Sequence, residues 1–138
     1  MKVRKLLFIA LAFVLALPFS AEFFCKRYDF TQDKYVKLNQ KVGDLEVMDL
    51  KFEVPNQDFQ QNRCVVTVKN YGVKTVKVNL AIALFDESGN LVGCGTTGTK
   101  LSGTRSGRTE TYFVSFDYVR TKIQDTKFFY MTAETAPQ

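Results

Sequence analysis

The side chains best suited to chemistry are few. They are three cysteines (Cys25, Cys64 and Cys94), a glycine motif at 93–98, and the adjacent carboxylates Asp86 and Glu87. Cys64 alternates in phase with Val66 and Val68, and Cys94 sits in the middle of an apolar stretch after a turn. A Cys64–Cys94 disulfide is therefore the expected pairing. It would close a loop of about 30 residues and stabilise by roughly 3–4 kcal/mol on the chain-entropy model. The alternative leaves both as small buried hydrophobes, a common fate of free cysteine.

Gly93-Cys94-Gly95-Thr96-Thr97-Gly98 fits the G-x-G-x-x-G pattern letter for letter. In a dinucleotide site those glycines let a tight turn aim a helix N-terminus at pyrophosphate. No helix can follow here, because Lys100 to Tyr118 holds two more glycines and then a strand. The phosphate-loop variant fails as well, since Thr99-Lys100 reverses the order that loop needs. A strand and its connecting loop are the expectation, with no cofactor.

Histidine is absent from the chain. The usual zinc ligand, the usual general base and every Ser-His or Cys-His pair are missing with it. Asp86 and Glu87 could in principle cleave a glycosidic bond as a carboxylate pair. Their setting, Asp86-Glu87-Ser88-Gly89-Asn90, reads as a solvated turn, and its spacing fits no EF-hand loop. No catalytic residue and no metal site are expected. Lys100, Arg105 and Arg108 crowd one loop with Ser102, Thr104, Ser106 and Thr109. They form a candidate contact for an anion or partner, such as an acidic glycan or lipid head group, and the turn Asp86–Asn90 is the second expected contact region.

The elements that must carry these groups have a period of two. Met48, Leu50, Phe52 and Val54 alternate with charged residues. Cys64, Val66 and Val68 repeat the pattern, as do Val76, Val78, Leu80, Ile82 and Leu84. A hairpin through 86–90 leads into Leu91–Thr97, then come Thr109–Tyr118 and Lys127–Ala133. Tyr112, Val114, Phe116 and Tyr118 share one face of the fifth strand. Six short strands predict an all-β domain, a β-sandwich, over 45–138. Residues 22–44 form a polar lead-in compatible with a short helix.

Ahead of it, Lys2, Arg4 and Lys5 precede the unbroken apolar run Leu6 to Leu17, then Pro18, Ser20 and Ala21. This is the plan of a secretory signal peptide over 1–21. As a helix the run reaches only about 18 Å, short of the roughly 30 Å hydrocarbon core. The rest is expected to be exported, to the periplasm, the cell surface or the medium. Membrane attachment is expected only if the leader is retained. Without its three cations the chain holds 16 basic and 14 acidic residues, so charge gives no reason to expect nucleic acid.

Three segments carry a family likeness. They are Val66-Thr67-Val68-Lys69-Asn70-Tyr71-Gly72, Ile82-Ala83-Leu84-Phe85-Asp86 and Ser88-Gly89-Asn90-Leu91-Val92-Gly93, with Leu101 and Gly107 before the strand Thr111–Phe116. Over about 65–116 the chain resembles the FxLYD and CARDB immunoglobulin-like modules of exported bacterial and archaeal proteins. Ile82 and Phe85 stand where that pattern has Phe and Tyr. The resemblance implies an immunoglobulin-like sandwich of six to seven strands and brings no catalytic residues. The expected function is a non-catalytic binding or structural module meeting a protein or glycan at the cell envelope. The alternative is a carrier of a small ligand or glycan, held in a pocket or by the 95–108 loop.

Overall fold

A computed structural model describes residues 20–27, 35–53, 62–97 and 103–137. The strands are β1 (Ser20–Arg27), β2 (Val36–Val42), β3 (Leu45–Glu53), β4 (Arg63–Asn70), β5 (Val76–Phe85), β6 (Leu91–Thr96), β7 (Thr109–Val119) and β8 (Phe128–Pro137). One short 3-10 turn, Ile123–Asp125, interrupts the last connection. The chain is all-β. Both described parts of the 22–44 lead-in are strands, β1 and β2, so the sheet reaches further toward the N-terminus than the sequence pattern indicated.

All eight strands belong to one antiparallel sheet in the order β1-β8-β5-β6-β7-β4-β3-β2. The meander β5-β6-β7 is flanked by β8 beside β5 and β4 beside β7, so two Greek keys share its three strands. The sheet curls until its two edges meet, where the Lys26 ammonium on β1 donates to the Lys37 carbonyl on β2 at 3.2 Å. Cleavage after Ala21 would remove two residues of β1 and leave Glu22 to Arg27 opposite β8.

The inward side chains make a single core. Val66 and Val68 of β4, Leu80, Ile82 and Leu84 of β5, Val114 of β7 and Met131 of β8 are all buried. Phe52 joins the two walls. Its ring centroid lies 6.1 Å from Phe116 on β7 and 5.8 Å from Phe129 on β8, distances at which aromatic pairs attract.

Two bulges shift the alternation. In β3 the register slips between Val47 and Asp49, so the buried positions are Leu45 and Val47 before the slip and Leu50 and Phe52 after it. Met48, expected on the core face, is only half-buried. In β7 the pair Phe116-Asp117 opposes the single Gly95 of β6, and Tyr118 turns outward with 54% of its surface exposed. An extra residue inverts every later side chain in its strand.

The β5–β6 hairpin is fixed by Asp86. Its carboxylate accepts from the Asn90 backbone N–H at 2.8 Å and from the Asn90 side-chain amide at 3.0 Å. Those bonds, the side-chain one foremost, hold the Asp86 carboxyl below its ordinary value of 3.8. A depressed folded-state pKa stabilises above the unfolded value and is lost as pH falls through the folded one. The hairpin is therefore expected to keep its contribution at pH 5 and lose it below 3.8. Carboxyl-detected NMR titration checks this, and a midpoint above 3.8 for Asp86 would contradict it.

Candidate functional site

The strands assign each loop to one of two ends. At the first end lie the β2–β3 turn, the 71–75 loop, the connection from β6 to β7 and the start of β1. At the other lie the 86–90 turn and the 3-10 turn. The candidate contact residues Arg105 and Arg108 and the turn Asp86–Asn90 are thus at opposite ends and cannot form one surface. Lys100, the third candidate, lies outside the described residues.

The first end is built around Asn70, the last residue of β4, which is wholly buried. Its side-chain amide donates to the Lys74 carbonyl at 2.8 Å and to the Thr104 carbonyl at 2.9 Å. Its side-chain oxygen accepts from the Gly72 N–H at 2.8 Å. One amide thereby ties the 71–75 loop to the segment at 103–108. Backbone bonds repeat the link: Asn70 donates to the Arg108 carbonyl, and Gly107 donates to the Asn70 carbonyl. The Ser106 hydroxyl adds a bond to the Gly72 carbonyl at 2.7 Å.

Beneath them the Thr104 and Tyr112 hydroxyls share a 2.6 Å hydrogen bond in the interior. Burial pushes the Tyr112 phenol above its ordinary value, while the Thr104 bond acts the other way. Arg105 to Arg108 form a turn closed by the Arg108 N–H on the Arg105 carbonyl, with Gly107 at φ 68°. That conformation at the third position of a type II turn favours glycine. Arg105 and Arg108 are exposed on this pinned turn. Their backbone is therefore set before any partner arrives.

Around the turn stand Tyr71, 56% exposed, and Val73, 89% exposed. The Lys69 ammonium lies 4.5 Å from the Tyr71 ring centroid, a cation–π contact. Tyr71, Tyr112 and Tyr130 are the tyrosines whose exposure bears on a sugar platform. Tyr112 is interior, and Tyr130 is half-buried against Phe85 on the outer face. Of these three, Tyr71 alone is exposed.

Gly93 to Thr96 of the glycine motif are strand, and Gly98 lies outside the described residues. Gly93 and Gly95 lie in β6, and a methyl group on Gly95 would sit 2.2 Å from the Ser115 carbonyl oxygen. On Gly93 it would meet the Tyr118 carbonyl oxygen at 2.7 Å. These glycines let β7 approach at its bulge, and among the described residues the next element is the strand β7.

The expected Cys64–Cys94 disulfide is corrected. All three cysteines are free. Cys64 faces the core opposite Val114, whereas Cys94 is exposed on the outer face, and β7 separates their strands. The alternation that put Cys64 inward was sound, but it left the outward phase of Cys94 and the intervening strand unseen. Burial raises the Cys64 thiol far above its ordinary range, so it is neither nucleophilic nor accessible. Maleimide is expected to label Cys25 and Cys94 in the native protein and Cys64 only after denaturation. Rapid native labelling of Cys64, read by peptide mass, would contradict the burial.

Among the described residues no three Cys, Asp or Glu side chains gather as metal ligands would. Glu87 is exposed and pairs with Arg27 at 3.5 Å, and Asp86 is held below its ordinary pKa, where a general acid needs the reverse. On the outer face a shallow recess of about 290 Å³ lies over Ala81, Ala83 and Gly95, beside Cys94 and Tyr130. It is a dip in the sheet surface, lined also by Asp117 and Thr132. The pinned basic turn remains the built feature of this end. No protein-family model matches the chain. No curated protein matches its sequence either.

Proposed function

We propose that the chain is an exported, non-catalytic β module that binds at the cell envelope through the end carrying Tyr71, Val73, Arg105 and Arg108. One observation carries this reading: the buried Asn70 amide holds two loops together so that both arginines stand on a fixed backbone. Loops on a rigid scaffold are where recognition concentrates, and preorganisation removes part of the ordering cost of binding. The leader-like segment 1–21 supports export. The FxLYD and CARDB resemblance supports an immunoglobulin-like sandwich. Those modules bind or space, and they carry no reaction.

The test is a paired capture from envelope extract. Wild-type protein and Arg105→Ala/Arg108→Ala protein are used as bait, with circular dichroism confirming the same fold. The double variant is expected to retain at most a tenth of the specific capture, since charged groups at a preorganised site contribute about 1 kcal/mol or more each. Equal capture by the two baits would show that the turn is only a connector.

A further inference from the structure

The same end has the chemistry of a bilayer contact, a conclusion that rests on its being the binding surface. Tyr71 and Val73 project from the 71–75 loop, and single exposed apolar residues are ordinary on any surface. Here the two flank Lys74, Arg105 and Arg108, which are all exposed. The segments 70–76 and 103–108 contain no carboxylate. None of the ion pairs among the described residues uses these three cations. The carboxylates at this end lie on neighbouring segments: Asp44 beside Gly72, Glu46 in a recess shared with Tyr71, and Glu110 two residues after Arg108 at the start of β7. An amphipathic ring and an aliphatic tip ringed by cations is the combination that sits at the headgroup level of anionic membranes.

A second observation is independent of those side chains. β1 starts at Ser20 opposite Thr135, and β8 ends beside the start of β5, with Val76 opposite Pro137. Residues 1–19, which include the apolar run Leu6 to Leu17, therefore join the described chain at this end. A leader engaged with a membrane brings Tyr71 and Val73 toward the bilayer and leaves the 86–90 turn pointing away.

We infer that this end docks on an anionic bilayer surface. Tyr71 and Val73 enter the headgroup region, and Lys74, Arg105 and Arg108 meet the lipid phosphates.

The chain has no tryptophan, so one introduced residue reports its own position without background. Full-length Val73→Trp and Ser88→Trp proteins, each altered at an exposed site, are mixed with vesicles of phosphatidylglycerol carrying brominated acyl chains. Val73→Trp is expected to shift to the blue and be quenched at least twofold, and Ser88→Trp to stay unquenched. Adding Arg105→Gln and Arg108→Gln to Val73→Trp is expected to weaken vesicle binding roughly 30-fold, from about fivefold per lost cation near the surface.

Unquenched Val73→Trp, or equal quenching of the two positions, overturns the docking. So does quenching that survives the arginine changes, because the leader alone then holds the chain near lipid. If Val73→Trp is unquenched while the Arg105/Arg108 variant still loses envelope capture, the binding end stands and its partner is not a lipid surface.

Discussion

Gly95→Ala is expected to cost about 3 kcal/mol, the upper range for forcing an extra carbon into a packed site. The added methyl would lie 2.2 Å from the Ser115 carbonyl oxygen, 2.9 Å from its carbon and 3.2 Å from the Phe116 ring. Two of those atoms are backbone, so no side-chain rotation relieves the clash. β7 has to move away from β6 at the bulge, and Phe116 moves with it, loosening its contact with Phe52. Urea unfolding should show a lower midpoint with little change in slope. Gly89→Ala is the control: it has open space around it but a φ of 81°, so only the cost of about 1–2 kcal/mol for that conformation applies. A phosphate-cradling role for 93–98 would give the opposite result, with stability kept and a bound anion lost. A Gly95→Ala protein as stable as wild type would remove the close approach of β7 as the reason for this glycine.

The same bulge shows what the sequence could and could not reveal. β4 and β5 were legible because Cys64, Val66 and Val68, and Val78 to Leu84, alternate without interruption, and all are buried as the period requires. β3 and β7 were legible as strands and in phase at Leu50 and Phe52 and at Tyr112, Val114 and Phe116, but not across their bulges at Met48 and Tyr118. An extra residue at Met48, or at Phe116-Asp117, has no compositional mark, because its cause is the register of the neighbouring strand. β1 was hidden for a different reason. Ser20 and Ala21 belong to a leader-like pattern, and the pairing of β1 with β8 spans more than a hundred residues, beyond any local signal.

The binding end was half legible. Arg105 and Arg108 stood out by charge and by their glycine-rich setting. Nothing local could place the 86–90 turn at the opposite end, since that follows from the direction of β5 and β6. Tyr71 stood out only as an aromatic whose exposure the sequence leaves open, and Val73 carried no signal. Asn70 was read only as part of the segment from Val66 to Gly72. Its amide spends two donors on carbonyls at 74 and 104, and the second partner is 34 residues away.

That buried amide gives the other large effect. Asn70→Ala removes three hydrogen bonds at once, from the carbonyls of Lys74 and Thr104 and the N–H of Gly72. Leaving a buried polar group unpaired costs about 1–3 kcal/mol. Water can reach the Lys74 and Gly72 groups, whose bonds are only partly buried, but the Thr104 bond is fully buried. A total near 3–4 kcal/mol is therefore expected in urea unfolding. Asn70→Asp is the sharper variant. It keeps an acceptor for Gly72 but turns a carboxylate toward two carbonyl oxygens, so it should be no more stable than the alanine variant near neutral pH. It should regain stability in mild acid, where a protonated carboxyl can donate one bond. The structural consequence is local: the Gly72 and Gly107 amide protons should exchange faster than those of β5, because both lie in the segments that Asn70 joins. If the turn then moves, binding at Arg105 and Arg108 should weaken although neither residue has changed. An Asn70→Ala protein within 0.5 kcal/mol of wild type, an order-of-magnitude floor for a buried hydrogen bond, would show that backbone bonds alone hold this end together.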